Sequence, residues 1–256
     1  MQTALSALRL PRIALTIQRS MLTHHHIQAV FFDAGGTLFE TRGSVGEIYG
    51  NAAQRYGIET DPTNLQAAFI RHFRLQPPLA FPRGTPQAEL HRLEKEWWRR
   101  LVQNVFTEHG AFPHFTEFFD DLYEYFRRKE AWQLFPETVP TLAALKARGL
   151  RLAVISNFDS RLDDLLRAFE LAQYFEAIHI SSRAGAAKPE TAIFHAALSH
   201  SEIKAAHAIH VGDSLREDAL GATTAGLHGV LLDRHQEVND NSVTRIVHLA
   251  QLIELL

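Results

Sequence analysis

Asp33 stands at the end of an apolar run, Ala29-Val30-Phe31-Phe32, and is followed at once by Ala34-Gly35-Gly36-Thr37-Leu38. The run is short, aromatic and β-branched, which is the composition of a buried strand. The two glycines allow a sharp turn and a close approach of backbone to ligand. A carboxylate delivered to the C-terminal tip of such a strand has three uses: nucleophile, metal ligand, or cap of the turn. Polar groups elsewhere bear on the choice. Ser156-Asn157 follows the apolar run Leu150 to Ile155, and Lys188-Pro189 opens a helical pattern. Gly212-Asp213-Ser214, with Asp218 just beyond, follows Ala206 to Val211. Several carboxylates, one lysine and one hydroxyl are the groups that hold a phosphate together with a divalent cation. Magnesium takes oxygen ligands and commonly shares its shell with substrate phosphate.

For these groups to meet, the intervening elements must bring them to one edge. Residues 27–38 read as strand and turn. From Gly43 to Phe135 the pattern is helical, with no strand. Asp61-Pro62 has the form of an N-cap followed by proline at the first helical position. Leu90, Leu93, Trp97, Leu101 and Val105 recur at helical spacing between Pro86 and Glu108, with Gly110 as a stop. Phe115, Phe118, Phe119, Leu122 and Phe126 form a second stripe, and Gln76 to Pro86 reads as a loop. Beyond Pro136 the chain alternates. Strands are expected at 150–155, 177–181, 206–211 and 230–232. Helices are expected at 141–147, 160–171, 189–198, 216–225 and from Val243 onward. Alternation of this kind means βαβ units and a parallel sheet. The expected fold is therefore α/β, a Rossmann-like parallel sheet with helices on both faces and an inserted all-α unit. Its core would comprise 27–42 and 136–256, the insert 43–135, and an extension 1–26. In a parallel sheet all strand C-termini share one edge, so the four polar points can converge there.

The totals set bounds. A chain of 256 residues holds one large domain, or a core with a smaller insert. The absence of cysteine excludes disulfides, thiolate catalysis and thiolate-bound zinc. A net charge of -3 gives no electrostatic case for nucleic acid or an anionic membrane. No apolar run approaches the roughly 20 residues that span a bilayer, and a cytoplasmic location is expected. Before Asp33 there is no acidic residue, whereas Arg9, Arg12 and Arg19 occur. That segment reads as a transit peptide in composition, or as a start assigned too early, Met21 being the only other methionine. His24, His25 and His26 read either as a metal tract or as a solvated lead-in to the strand.

The four points also carry a resemblance. "FFDAGGTLF", "AVISNFD", "AAKPETAIF" and "HVGDSLREDALGATTAG" are similar, in order and spacing, to the four motifs of the haloacid dehalogenase superfamily. The chain resembles the branch with a helical cap between motifs one and two. The run "SNFDSRL" is similar to the subgroup named for the rhythmically expressed gene-two product. The resemblance implies Asp33 as the nucleophile of covalent catalysis. It implies that Ser156 and backbone N–H groups at Asn157 bind phosphoryl oxygens, with Gly36 and Thr37 of the first turn counted among the substrate-binding residues. Lys188 would orient Asp33 and offset phosphate charge. Magnesium would be held by Asp33, the Gly35 carbonyl and Asp213, with Asp218 as a ligand or a support. Read alone, Asp218 is also explained as a helix N-terminal charge, and Ser214 as an N-cap.

One position departs from the pattern. Phosphatases of this superfamily carry a second aspartate two residues after the nucleophile, as proton donor and then as base toward water. Here that residue is Gly35, and general acid–base catalysis is worth about 100- to 10,000-fold. Three readings stay open. The first is a magnesium-dependent phosphohydrolase acting on a small phosphorylated substrate, slowed or supplied with a proton from elsewhere. His72, His91, His109 and His114 of the insert titrate in a useful range. The second is a 2-haloacid dehalogenase, whose halide needs no proton. The third is a phosphate-binding protein with little turnover. A phosphonatase-type reaction would need a cap lysine, and only Lys95 and Lys129 are available. Trp97 and Trp98 are expected either against substrate or in the insert's core. The oligomeric state is open, and the aromatic insert offers a surface for a second copy.

Overall fold

A computed structural model describes residues 26–107, 110, 112–238, 240 and 242–256. The arginine-bearing leader with Met21, His24 and His25, and His109 of the insert, lie outside the described residues. The strands are β1 (Ala29–Phe32), β2 (Phe39–Thr41), β3 (Trp132–Leu134), β4 (Arg151–Ser156), β5 (Ala177–Ile180), β6 (Ala208–Gly212), β7 (His228–Leu232) and β8 (Thr244–Ile246). The helices are α1 (Val45–Gln54), α2 (Pro62–Leu75), α3 (Gln87–Val105), α4 (Phe115–Tyr125), α5 (Thr138–Ala147), α6 (Arg161–Ala168), α7 (Ser181–Ala184), α8 (Thr191–Ser201), α9 (Gly221–Thr224) and α10 (Gln251–Leu255).

Six strands form one sheet in the order β5-β4-β1-β6-β7-β8, and every pairing in it is parallel. Central strands are mostly apolar because both faces are covered, with His210 of β6 an exception. Val30, Phe32, Val154, Ile209 and Val211 pack on Leu142 and Leu145 of α5, Leu162 and Leu165 of α6, and Leu252 of α10. Ala29, Phe31, Ala153, Ile155 and Ala208 face the other way, onto Ile193 and Phe194 of α8 and Ala222 of α9. The chain moves outward from β1 through β4 to β5, then crosses back to β6 on the other side. The strand order therefore reverses beside β1, where open α/β sheets bind ligands.

Helices α1 to α4 bury a separate cluster that includes Tyr49, Leu65, Trp97, Leu101, Phe118 and Phe119. Ser44 and Glu47 close a reciprocal capping box at the start of α1. Asp61 accepts from the Asn64 N–H at the start of α2, with Pro62 in the first turn, as the sequence predicts.

Three expectations fail. The insert is not free of strands: β3 pairs antiparallel with β2 through Phe39↔Leu134, Glu40↔Gln133 and Thr41↔Trp132. Each partner is three residues long and they lie some ninety residues apart, so no local periodicity marks them. The chain from Val243 is likewise not a helix at once. It forms edge strand β8 beside β7, and α10 begins only at Gln251. Val243, Ile246, Leu249 and Leu252 are buried, and their spacing by threes imitates a helical stripe in a stretch too short to separate the two patterns. The stretch expected as one helix over 216–225 starts as a π-turn, Leu215–Leu220, before α9.

Candidate active site

Asp33 is held where β1 ends. Its N–H donates to Val211 O at 2.9 Å, and the Ala34 carbonyl accepts from the N–H of Leu38 at 2.8 Å, closing the turn. Gly36 sits at φ +78°, and a Cβ there would meet Asp213 Cγ at 2.6 Å. Its lack of a side chain thus lets Asp213 lie against the turn that follows β1. Arg234, from the loop after β7, donates to Thr37 O at 3.0 Å and to Glu137 Oε1 at 2.5 Å.

Lys188 Nζ is shared between two carboxylates, Asp33 Oδ1 at 2.6 Å and Asp218 Oδ1 at 2.5 Å. Asp218 Oδ1 also accepts from His210 Nε2 at 2.8 Å, and Oδ2 accepts from the Ser214 N–H at 3.0 Å. A side chain at Gly212 would collide with the Asp218 carboxylate, so that glycine lets the π-turn fold back onto the strand end. Asn157 grips the lysine's backbone: its Nδ2 donates to Lys188 O at 2.9 Å and its Oδ1 accepts from Lys188 N at 2.8 Å. The Ser156 hydroxyl faces Asp33. Ser214 caps the π-turn by accepting from the Glu217 N–H.

The electrostatics follow from burial around few cations. Burial lifts the Asp33 carboxyl, against the pull of Lys188. Lys188 is itself raised, because its two carboxylates outweigh its desolvation. Asp218 is held well below the usual carboxylate range; burial opposes this, but Lys188 and His210 prevail. Burial pushes His210 down, against the hydrogen bond and charge of Asp218. Asp213 lines the cavity and stays exposed, unlike Asp33 and Asp218. Poor solvation first, then the negative charges of Asp33 and Asp218, push its carboxyl up to about 7.

The helical segment closes over this floor. Glu94 on α3 is buried and accepts from the Ser160 N–H at 3.0 Å, the Ser160 hydroxyl at 2.8 Å and the Ser182 hydroxyl at 2.6 Å. One turn on, Trp98 Nε1 donates to Asp159 Oδ2 at 2.5 Å. Asp159 forms a bidentate pair with Arg161, at 2.9 and 2.6 Å, and the guanidinium lies 4.0 Å from the Tyr123 ring centroid. Between roof and floor is a cavity of about 340 Å³ lined by Asp33, Gly35, Ser156, Asn157, Lys188, Asp213 and Asp218.

Seven of the nine site residues named from sequence thus share one cavity. Gly36 and Thr37 do not line it: Gly36 makes room for Asp213, and the Thr37 side chain is fully buried, with no partner for its hydroxyl among the described residues. Trp97 belongs to the helical core and donates to Pro77 O, whereas Trp98 lines the cavity. His72, His91 and His114 do not line it, nor do Lys95 and Lys129; Lys95 pairs with Asp120 instead. Sequence reasoning missed His210, Glu217, Glu94, Asp159 and Arg161. A histidine inside an otherwise apolar strand and an acidic residue inside an apolar helical stripe were the available signals for the first and third.

The sequence pattern of the family described as haloacid dehalogenase-like hydrolase matches residues 27–226. The bovine (Bos taurus) haloacid dehalogenase-like hydrolase domain-containing protein 3 is 34% identical over 80% of this chain and 82% of its own length. The rhythmically expressed gene 2 protein of Drosophila melanogaster is 31% identical over 79% and 82%. A solved structure of a phosphatase of this superfamily from Thermococcus onnurineus superposes with a TM-score of 0.63 at 22% identity, over 90% of this chain and 97% of its own. The match to the family pattern over most of the chain, and relatives above 30% identity over four fifths of it, place the chain in the haloacid dehalogenase-like hydrolase family, with relatives in the rhythmically-expressed-gene-two subgroup.

Proposed function

We propose that the chain is a magnesium-dependent phosphohydrolase acting through an aspartyl-phosphate on Asp33. The observation that carries this reading is the acidic cluster. Asp33, Asp213 and Asp218 offer oxygens within 4.8 Å of one another, one lysine serves Asp33 and Asp218, and Asp213 holds its proton up to about pH 7. Such a set of hard oxygen donors, short of positive charge, fits magnesium. Asp33, Asp213 and the Gly35 carbonyl would hold the ion. Asp218 would stand behind them, since both its oxygens are already engaged. When bound, the ion supplies positive charge that lowers the repulsion between a carboxylate and a phosphate.

The chain's own residues do the rest. Asp33 attacks phosphorus. Lys188 aims the carboxylate and offsets charge on the equatorial oxygens, where most of the catalysis of phosphoryl transfer resides. Ser156 binds an equatorial oxygen. Asn157 fixes Lys188 through its backbone, a positioning role in addition to its N–H group. Residues 43–135 act as the cap that excludes water.

Two other readings keep specific support. Gly35 suits a 2-haloacid dehalogenase, because halide leaves without a proton; it also suits a phosphate binder with little turnover. The test is release of phosphate from ester panels and of halide from 2-haloacids, with magnesium or chelator, for wild type and Asp33→Asn. Phosphate release that needs magnesium and vanishes in Asp33→Asn is expected. Chelator-resistant halide release would establish the dehalogenase instead, and phosphate binding without release would establish the binder.

A further inference from the structure

The cavity gathers its carboxylates, lysine and serine on its sheet side, while Thr41, Tyr49, Tyr123 and Arg161 add single polar groups elsewhere. The opposite wall is built of rings and aliphatic side chains, with Tyr49, Phe69, Trp98, Phe119, Phe126 and Trp132 among them. The polar N–H groups of that wall are already used. Trp98 Nε1 donates to Asp159, Trp132 Nε1 donates to Phe126 O at 3.0 Å, and the Arg161 guanidinium is bound to Asp159. A polyhydroxylated group placed there would lose hydrogen bonds to water and regain only the few that the Tyr49 and Tyr123 hydroxyls offer. A flat apolar ring would bury area and meet ring edges and faces at favourable geometry. A volume of about 340 Å³ lies near the small end of ligand sites and suits a leaving group of one or two rings.

Gly35 points the same way. With no side chain at position 35 to donate a proton, and with Asp213 deprotonated once it holds a metal ion, the oxygen that departs must carry its electron pair away unaided. A phenol ionises near pH 10, as tyrosine does, whereas an alkyl alcohol resembles water, near 16. We infer that the substrate class is the aryl phosphate monoester, a phosphate on a planar apolar leaving group; this rests on the phosphohydrolase reading above. An Asp33 oxygen forms a bond to phosphorus, and the bond from phosphorus to the aryl oxygen breaks. The electron pair leaves as phenolate, which takes a proton from water. A water oxygen then bonds to phosphorus, its protons pass to solvent and phosphate, and the bond to Asp33 breaks to release inorganic phosphate.

The experiment compares phenyl and 4-nitrophenyl phosphate with glycerol and glucose phosphates, in magnesium, for wild type, Asp33→Asn and Gly35→Asp. Quenching of tryptophan fluorescence by phenylphosphonate and methylphosphonate supplies a binding readout independent of turnover. Wild type should favour aryl over alkyl esters by at least about 100-fold in kcat/KM, the lower range of a general acid's worth. Phenylphosphonate should bind at least tenfold more tightly than methylphosphonate. Gly35→Asp, whose new Cβ would meet nothing within 4 Å, should raise alkyl ester turnover more than that of 4-nitrophenyl phosphate. Asp33-dependent release from sugar phosphates as fast as from phenyl phosphate, or equal binding of the two phosphonates, overturns the substrate class and leaves the phosphohydrolase reading intact. Absence of Asp33-dependent release from any ester overturns both.

Discussion

Replacing Asp159 by asparagine tests whether the ion pair between roof and sheet is structural. Asp159 is fully buried and Arg161 is 5% exposed. The carboxylate accepts from Arg161 Nε, Nη2 and backbone N–H, and from Trp98 Nε1. Asparagine keeps the shape but turns one acceptor into an NH₂ group that faces donors, and it leaves a guanidinium buried without its counter-charge. Breaking a buried pair in this way costs about 3–5 kcal/mol. Urea unfolding followed by tryptophan fluorescence should show it. With a slope of about 3 kcal/mol per molar, the midpoint falls by roughly 1–1.7 M. The double variant Asp159→Leu with Arg161→Met removes both charges and should recover much of the loss, since apolar replacement of a whole buried pair is often neutral or better. Some deficit should persist, because Trp98 Nε1 loses its acceptor, a penalty of about 1–3 kcal/mol. The reasoning is refuted if Asp159→Asn stays within about 1 kcal/mol of wild type, or if the double variant is less stable than the single one.

Gly36→Ala places a Cβ at φ +78° against Asp213. Left-handed backbone costs about 1–2 kcal/mol, and Asp213 must rotate away, so phosphate release should fall at least tenfold while Gly35→Ala leaves stability unchanged; parallel urea melts and release assays check both. Asp213 holds its proton up to about pH 7 in the folded chain, whereas an unfolded aspartate loses it near 4. Between those values the folded state binds more protons, so this group's contribution to stability falls as pH rises. In chelator, Asp213→Asn should therefore gain thermal stability over wild type by a margin that widens from pH 5 to pH 7. A margin that is constant or narrows, in melting temperatures at stepped pH, contradicts the assignment.

That Asp33, Lys188, Ser156 and the acidic pair would meet was legible because each sits at a fixed place relative to a strand of obvious pattern. The order of elements was legible for the same reason, since buried parallel strands are continuous apolar runs. What stayed hidden is long-range or fully paired. The β2–β3 ladder joins residues some ninety apart, and nothing in Phe-Glu-Thr or Trp-Gln-Leu names its partner. Glu94 reads locally as one charged residue on an amphipathic helix. Its role exists only because Ser160 and Ser182 arrive from two other segments. In "SNFDSRL" no local pattern reveals a role for Asp159 and Arg161, which form the buried pair beneath Trp98.

The β2–β3 ladder also says how this molecule could be taken apart. Thr41 and Trp132 face each other across an antiparallel pair, a spacing of about 4.5–5.5 Å between Cα atoms. The ninety residues between them thus begin and end at almost one point, like a loop sewn on by a single stitch. A two-residue hairpin turn spans that gap. An exchange of the helical segment at this seam would leave every strand of the sheet beside its present neighbour, provided the new segment again meets Ser160, Ser182 and Asp159, which Glu94 and Trp98 now hold. On the phosphohydrolase reading, chemistry and selectivity would then be separable parts: the sheet would keep Asp33, and whatever is sewn at Thr41 and Trp132 would supply the wall that the leaving group meets.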